Sequence, residues 1–304
     1  MFERDDTPPP PLPARDPRGH KGTFGTVAVV GGQRTDETLM LGAPALCALG
    51  AMRTGCGLCR VCAPAGVLEH ALTIASGATG VVLPESDVAP TLDGLARTAG
   101  CLVVGPGMGV SERTRAVVVR ALGQEDAPVI LDADGLNALA TIPDAHRDMR
   151  APSVLTPHPG EFARLAASVG MDHDAPEPHA AAELARRLGA VVVLKSSTTV
   201  VTDGFRAWTH DAPNPVLGTG GTGDVLAGAI AGLIAQHHRM PMLAGERTVT
   251  SEHMGGLSLY DTARLGVALH ARAASLWREA HHGADAGMTP EELSSMLVAA
   301  RDSL

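Results

Sequence analysis

The sequence predicts an α/β protein, a three-layer αβα sandwich around a central and mostly parallel sheet. Three observations point to it. Short, almost continuously apolar runs alternate with longer segments of helical periodicity, the pattern of parallel strands covered on both faces. Nearly every run ends in Gly, Asp or Pro, residues that turn a strand toward the next helix. Aromatics make up only 2% of 304 residues while 45% are hydrophobic, so the core is built from small aliphatic side chains that suit close packing of helix on sheet.

The elements follow in order. Residues 1–17, MFERDDTPPPPLPARDP, are a Pro-rich tail expected to be a disordered leader, with neither the basic nor the apolar region of a secretion signal. Residues 18–304 read as a single domain. TVAVVGG (26–32) is its first strand, and the following helix lies within 41–55. Strands are then expected in 57–64, 79–84, 101–109, 128–135, 153–161 and 190–197, with helices at SERTRAVVVRAL (111–122) and HAAAELARRLG (179–189). A further helix begins near Thr222, and another covers 261–277. Residues 239–260 between them are a candidate insertion, either an ordered flap or a surface addition.

Composition excludes several functions. A net charge of −9 offers no basic field for nucleic acid or an anionic membrane. No apolar run reaches the ~18 residues of a membrane span, so the protein reads as cytoplasmic. Five cysteines, an odd number, argue against a disulfide framework. Cys56, Cys59 and Cys62 have a metal-like spacing, but on a strand it turns Cys59 and Cys62 to opposite faces, and they read as small buried hydrophobes. His237-His238 and His281-His282 read as solvated helix ends.

Open α/β sheets bind ligands at the carboxyl ends of their strands. Here those ends carry Gly31-Gly32, Gly105-Pro106-Gly107, Asp132-Ala133-Asp134, Thr156 to Glu161 and Lys195-Ser196-Ser197. Any one of them is an ordinary turn, and Asp132 or Asp134 could cap the next helix. Five on one rim, with His, Glu, Lys and a repeated Asp, point to a site. NPVLGTGGTGDVLAG (214–228) is the most informative stretch. Glycines 218, 220, 221 and 223 let several N–H groups converge at a helix start as an anion nest. Asp224 beside it is placed to take a proton from a substrate hydroxyl while the nest stabilises a transferring phosphoryl group. The stretch is neither a P-loop nor a dinucleotide fingerprint.

GTGGTGDVLAG resembles the anion-hole and catalytic-base motif of ribokinase-like enzymes. With GHKGTFGTVAVVGG (19–32), LGAPALCALGAMRTGCGL (41–58), VVGPGMG (103–109), VILDADGLNAL (129–139), VLTPHPGEFARL (154–165) and VVVLKSSTTVV (191–201), all in the family's order, the chain resembles the NAD(P)H-hydrate dehydratases over roughly residues 15–304. The resemblance implies a ribokinase-like fold and a repair reaction on the S epimer of hydrated NADH or NADPH. ADP in typical bacterial members, or ATP in eukaryotic ones, phosphorylates the ring hydroxyl, and elimination of phosphate restores the cofactor. It further implies Asp224 as the base and Gly221, Thr222 and Gly223 as the anion hole. Ala43, Gly107 and His158 join Asp224 around the hydrated nicotinamide. Lys195, Ser196, Ser197, Thr198, Thr199 and Gly223 contact the nucleotide. Mg²⁺ bridges the phosphates, with Glu161 reaching it through water. Ser196 stands where the family usually has Gly, so its Cβ is expected to narrow the nucleotide's approach.

Many bacterial members carry an epimerase domain that is not found here, so a separate NAD(P)H-hydrate epimerase is the expected functional partner. The apolar helices and the resemblance point to a homo-oligomer, a homotetramer. A small-alcohol kinase of the same fold, of hydroxymethylpyrimidine or hydroxyethylthiazole type, would use Asp224 identically, but TPHPGE, GHKGTFG and LDADGLNAL favour the dehydratase. A non-catalytic nucleotide sensor would not need Asp224. A polyproline ligand explains only the tail.

Overall fold

A computed structural model of the chain describes residues 2–171, 178–240, 242–244, 247–249, 251 and 255–303. Each predicted apolar run becomes a strand. After a two-residue strand β1 (Glu3–Arg4), β2 (Thr26–Val30) is buried along its whole length, and a short hairpin of β3 (Gln33–Arg34) and β4 (Leu39–Met40) leads into α1 (Ala43–Arg53). Three β-α units follow: β5 (Leu58–Ala63) with α2 (Ala65–Ile74), β6 (Thr79–Val82) with α3 (Ala89–Ala96), and β7 (Cys101–Val104) with α4 (Glu112–Leu122). Next come β8 (Val129–Leu131), α5 (Asp134–Leu139), β9 (Ser153–Leu155), α6 (Pro159–Ser168), α7 (Pro178–Leu188) and β10 (Val191–Leu194). A meander of β11 (Thr199–Thr202) and β12 (Arg206–His210) precedes α8 (Thr222–His237), the hairpin of β13 (Met242–Ala244) and β14 (Arg247–Val249), α9 (Leu259–Ala280) and α10 (Pro290–Asp302).

The main sheet has the order β1-β12-β11-β10-β9-β8-β7-β2-β5-β6, and β11 alone among its described strands runs against the others. The chain winds outward from β2 through β5 to β6, then returns to the other side of β2 and winds through β7, β8 and β9 to β10. That reversal opens a crevice beyond the carboxyl ends of β2 and β7. Alternate residues of β2 feed opposite cores: Ala28 and Val30 pack with α3 to α7, and Val27 and Val29 with α1, α2, α8 and α9. Cys62 lies in the first core and Cys59 in the second, the division their spacing predicts. A third cluster joins α8, α9 and α10. This is the expected αβα sandwich.

Helix α8 lies almost backbone to backbone on α1. A Cβ on Gly228 would stand 2.0 Å from the Cys47 carbonyl oxygen, and one on Gly232 would stand 2.7 Å from that of Ala51. Glycine costs such a helix ~1 kcal/mol per position, which the close contact offsets. The 47/228 and 51/232 register, continued one turn toward the helix starts, sets Ala43 alongside Asp224.

The N-terminal stretch departs from the disordered leader expected of it. Glu3 and Arg4 pair with Arg206 and Ala207 of β12. Asp5 accepts from the Tyr260 hydroxyl at 2.9 Å, and buried Arg264 bridges Asp5 at 3.2 Å and Asp261 at 3.0 Å. The charged residues flanking the prolines have buried partners that composition does not reveal. The candidate insertion at 239–260 falls partly outside the described residues; within it, β13 and β14 pair antiparallel. His237 is not a solvated end: it is half-buried among arginines. His281 is exposed at the end of α9, as expected, and stacks on Trp277 with ring centroids 4.0 Å apart. Among the described residues no helix is long and apolar enough to cross a membrane.

Candidate active site

Three neighbouring strands deliver one polar residue each to the rim. Asp132, just past β8 and only 2% exposed, accepts from Thr156 Oγ1, just past β9, at 2.7 Å and from Lys195 Nζ, just past β10, at 2.8 Å. Strands are about 4.8 Å apart, so the lysine reaches across β9 with its chain extended. Burial opposes the Lys195 charge, but Asp132, then Glu161 and Asp224, outweigh it and hold the ammonium above its ordinary pKa. Between the two aspartates, Ala133 has φ +50°, a conformation that costs a non-glycine residue about 1–3 kcal/mol. The kink aims Asp134 back at the Gly109 N–H, 2.8 Å away, tying the β8 end to the loop after β7. Neither aspartate caps α5.

Asp224 sits in the first turn of α8. Of the four glycines before it, only Gly221, the N-cap, has positive φ, at +92°, and a Cβ there would strike Leu46 and Pro290 at 2.8 Å. The expected nest of four glycines is therefore corrected to a narrower one. Gly221 is conformationally required, whereas Gly218 and Gly220 border open space. Thr222 is locked: its hydroxyl donates to the Leu217 and Thr219 carbonyls at 2.8 and 2.9 Å, and its own carbonyl accepts from buried His270 Nε2 at 2.9 Å. The Thr222 N–H turns to Thr219. Those of Gly221, Gly223 and Asp224 have no protein acceptor among the described residues and stand at the positive end of the helix dipole.

Burial, then the charges of Asp132 and Asp134, push Asp224 up to about 8 against the pull of Lys195. A carboxyl so poised takes up and releases protons near neutrality. On one side of it lies a cavity of about 530 Å³. Lys195, Ser196, Ser197, Thr199, Thr222 and Gly223 line its polar end, with Leu226, Val267 and Ala271 as its apolar wall. Thr198 is not in the lining; its hydroxyl donates to Asp211 at 3.0 Å. The Ser196 hydroxyl closes the loop between β10 and β11, donating to the Thr198 carbonyl at 2.6 Å and accepting its N–H at 3.2 Å. Its polar group thus serves its own turn.

On the other side of Asp224, toward α1, Gly107 faces Ala43 and Met40, and a Cβ on it would stand only 3.2 and 3.0 Å from theirs. His158 and Glu161 form a reciprocal cap on α6. His158 Nδ1 accepts the Gly160 N–H at 3.0 Å, and Glu161 Oε2 accepts the His158 N–H at 2.9 Å. With Nδ1 accepting, Nε2 carries the ring proton, and the half-exposed ring stands at the rim. Burial raises the Glu161 pKa.

Metal binding makes its own demands on the donor set. Among the described residues no three His, Cys, Asp or Glu side chains are grouped to hold an ion. Asp132, Asp134 and Glu161 each already accept from the protein. Such groups suit an ion carried on a ligand's phosphates with its own waters, not one caged by the protein. Sequence reasoning missed the Asp132–Lys195 pairing, which needs the strand order, and His210 with the apolar wall of the cavity. The NPV turn beside that cavity carried the available signal in Asn214, which lines it.

Residues 27–299 match the family model described as NAD(P)H-hydrate dehydratase. The chain is 34% identical over 309 residues to the bifunctional NAD(P)H-hydrate repair enzyme Nnr of Thermofilum pendens, covering 97% of this chain and 53% of that protein. It is 33% identical over 287 residues to the ADP-dependent (S)-NAD(P)H-hydrate dehydratase of Neisseria meningitidis, covering 92% and 86%. It spans about half the length of the bifunctional curated relatives it matches. Its fold is similar to that of the ADP/ATP-dependent NAD(P)H-hydrate dehydratase from Bacillus subtilis, co-crystallised with ATP and Mg²⁺, with TM-score 0.74, 29% identity and coverage of 96% and 94%.

Proposed function

Because the chain belongs to the NAD(P)H-hydrate dehydratase family, we propose that it restores NAD(P)H from the S form of its hydrate at the expense of ADP or ATP. The observation that carries the reading is the position of Asp224, between the Lys195 cavity and the Ala43–Gly107 face, with unpaired N–H donors beside it. The nucleotide occupies the cavity, with Lys195, Ser196, Ser197, Thr199 and Gly223 around its phosphates and sugar. The hydrated ring lies against Ala43, Gly107 and His158.

Asp224, ionised, takes the proton of the ring hydroxyl as that oxygen forms a bond to the terminal phosphorus of the nucleotide. The bond to the bridging oxygen breaks, and its electrons leave with the shortened nucleotide. The N–H groups of Gly221, Gly223 and Asp224 hold the oxygens of the phosphoryl group in transit, and Lys195 balances the leaving charge. Phosphate then departs with the electrons of the ring C–O bond, a proton leaves the adjacent carbon, and the ring double bond returns. Glu161 would hold Mg²⁺ through water, and the ion would neutralise phosphate charge when bound. A homotetramer, acting in the cytoplasm together with an NAD(P)H-hydrate epimerase, completes the reading.

The test supplies the S hydrate of NADH, Mg²⁺ and either ADP or ATP, and follows the near-ultraviolet absorbance of the restored ring. A rise that needs a nucleotide and vanishes in Asp224→Asn supports the dehydratase and selects the donor. No rise with either nucleotide, from folded protein, overturns it in favour of the small-alcohol kinase.

A further inference from the structure

The two edges of the main sheet are built differently. At one, β1 sets the charges of Glu3 and Arg4 ahead of a run of prolines, and Arg4 pairs with exposed Asp6 at 2.7 Å, features that guard an edge against another strand. At the other, β6 is Thr79-Gly80-Val81-Val82, which carries no charge, and Val82 is 56% exposed. Among the described residues no strand pairs with its outer side.

The register fixes which groups are open. β6 lies parallel to β5, with Val61 opposite Gly80 and Ala63 opposite Val82, and the Leu83 N–H donates to the Ala63 carbonyl at 2.9 Å. Backbone groups alternate from side to side along a strand, so Thr79 and Val81, like Leu83, turn theirs toward β5. Gly80 and Val82 turn theirs outward, and each has an N–H and a C=O without a protein partner among the described residues. Side chains divide by face in the same alternation. Val81 packs against the core that α3 covers, whereas a Cβ on Gly80 would meet Leu72 and Leu68 of α2 at 2.9 and 3.0 Å. Val82 shares the α2 face with Gly80.

We propose that β6 is the surface on which a second copy of this chain docks, antiparallel and about a two-fold axis through Val81, so that the two main sheets continue into one. The proposal rests on the homo-oligomer reading above and names the face that joins the copies. The occupant follows from self-complementarity. With Val81 opposite its own copy, Gly80 stands opposite the second copy's Val82, the pair exchanges both hydrogen bonds, and every open group of the edge is used. Centring on Gly80 instead brings Val82 to Ala78, whose N–H already goes to the Ala75 carbonyl at 2.9 Å. Centring on Val82 brings Gly80 to Pro84, which has no N–H. The favoured register also lays each Val82 side chain over the glycine of the other copy, beside partly buried Leu72, and removes it from water. Charge favours the same arrangement. Arg60, aligned with Thr79 and donating to Thr98 Oγ1 at 2.7 Å, and exposed Arg97 stand at the start of β6, while exposed Glu85 and Asp87 follow its end. An antiparallel pair sets each basic start beside the other copy's acidic end.

Light scattering of the full chain tests the surface. Val82→Lys, at an exposed position, is expected to lower the assembled mass to about half, with circular dichroism unchanged. Val81→Cys with oxidised glutathione is expected to cross-link the copies: the two thiols close a disulfide, and glutathione takes up their protons and electrons. Directly opposed residues have Cβ atoms about 4.5 Å apart, within reach of that bond. Val82→Cys is expected not to cross-link, because this register sets the two copies of residue 82 roughly 8 Å apart. An oligomer whose mass Val82→Lys leaves unchanged, or in which Val81→Cys fails to cross-link, overturns this surface and leaves the oligomer reading standing. A native chain that runs as a monomer at micromolar concentration overturns both. Neither outcome bears on turnover of the hydrate, which its own assay decides.

Discussion

The two ends of α8 use the same physics to opposite ends. At the first turn Asp224 is crowded by Asp132 and Asp134, and its pKa rises to about 8; at the last, His237 is crowded by three arginines, and its pKa falls to about 4. Burial leads in both, and like charge deepens both, so each group is driven toward its neutral form. The difference lies in what else is present. Asp224 has Lys195 and unpaired N–H donors near it, so its ionised form is within reach when a phosphoryl group arrives. Among the described residues the charges that shift His237 are all those of arginines, and it has no hydrogen-bond partner at Nε2. A shifted pKa therefore marks crowding, and a counter-ion beside it turns crowding into a working base.

The sharpest way to break the comparison is to remove the base. Asp224→Asn is expected to lower turnover by ~10³-fold or more, with circular dichroism unchanged. Lys195→Met removes the counter-ion and leaves Asp132 buried and unpaired. Urea denaturation should show a loss of about 2–3 kcal/mol, below the cost for a fully buried pair because the lysine is one-fifth exposed. Adding Asp132→Asn should recover part of it.

The two ends should also respond to pH with opposite signs. Asp224 holds its proton longer in the folded state than in the unfolded one, so between pH ~4 and ~8 folding binds more protons and stability falls as pH rises. Asp224→Asn should flatten that decline, gaining on the order of 1–2 kcal/mol at pH 8 and little at pH 4. The parent's kcat/KM should meanwhile rise with pH through about 8. His237 is the mirror case: the unfolded state takes up its proton first, so stability is lost as pH falls from ~6.5 toward ~4. His237→Gln should remove on the order of 1 kcal/mol of that acid loss and change nothing measurable at pH 8.

The inner strands were legible in sequence because burial on both faces leaves an unbroken apolar run, as in TVAVV and CLVV. The edge was not. β1 is two residues of a charged, Pro-rich stretch, and β12 sets only two buried residues among polar ones in RAWTH, so neither carries the parallel-strand signal. At the site, Asp224 and the Lys195 turn were legible because glycine and charge coincide there. The link from Lys195 to Asp132 spans 63 residues of sequence and exists only once β8, β9 and β10 lie side by side. In TPHPGE the spacing of His158 and Glu161 is itself a capping-box signal, which chemistry-minded reading of the two residues passes over.

The glycine-lined seam between α1 and α8 also sets a timetable for biosynthesis. The helix that covers α1 is completed roughly 180 residues after it, which at 5–20 residues per second is about 10–40 s of translation. Throughout that interval the Cys47 face of the nascent chain has no native cover. The first β-α units can dock on one another as they emerge, but the layer that seals them arrives late, and shielding by a chaperone would matter most in that window.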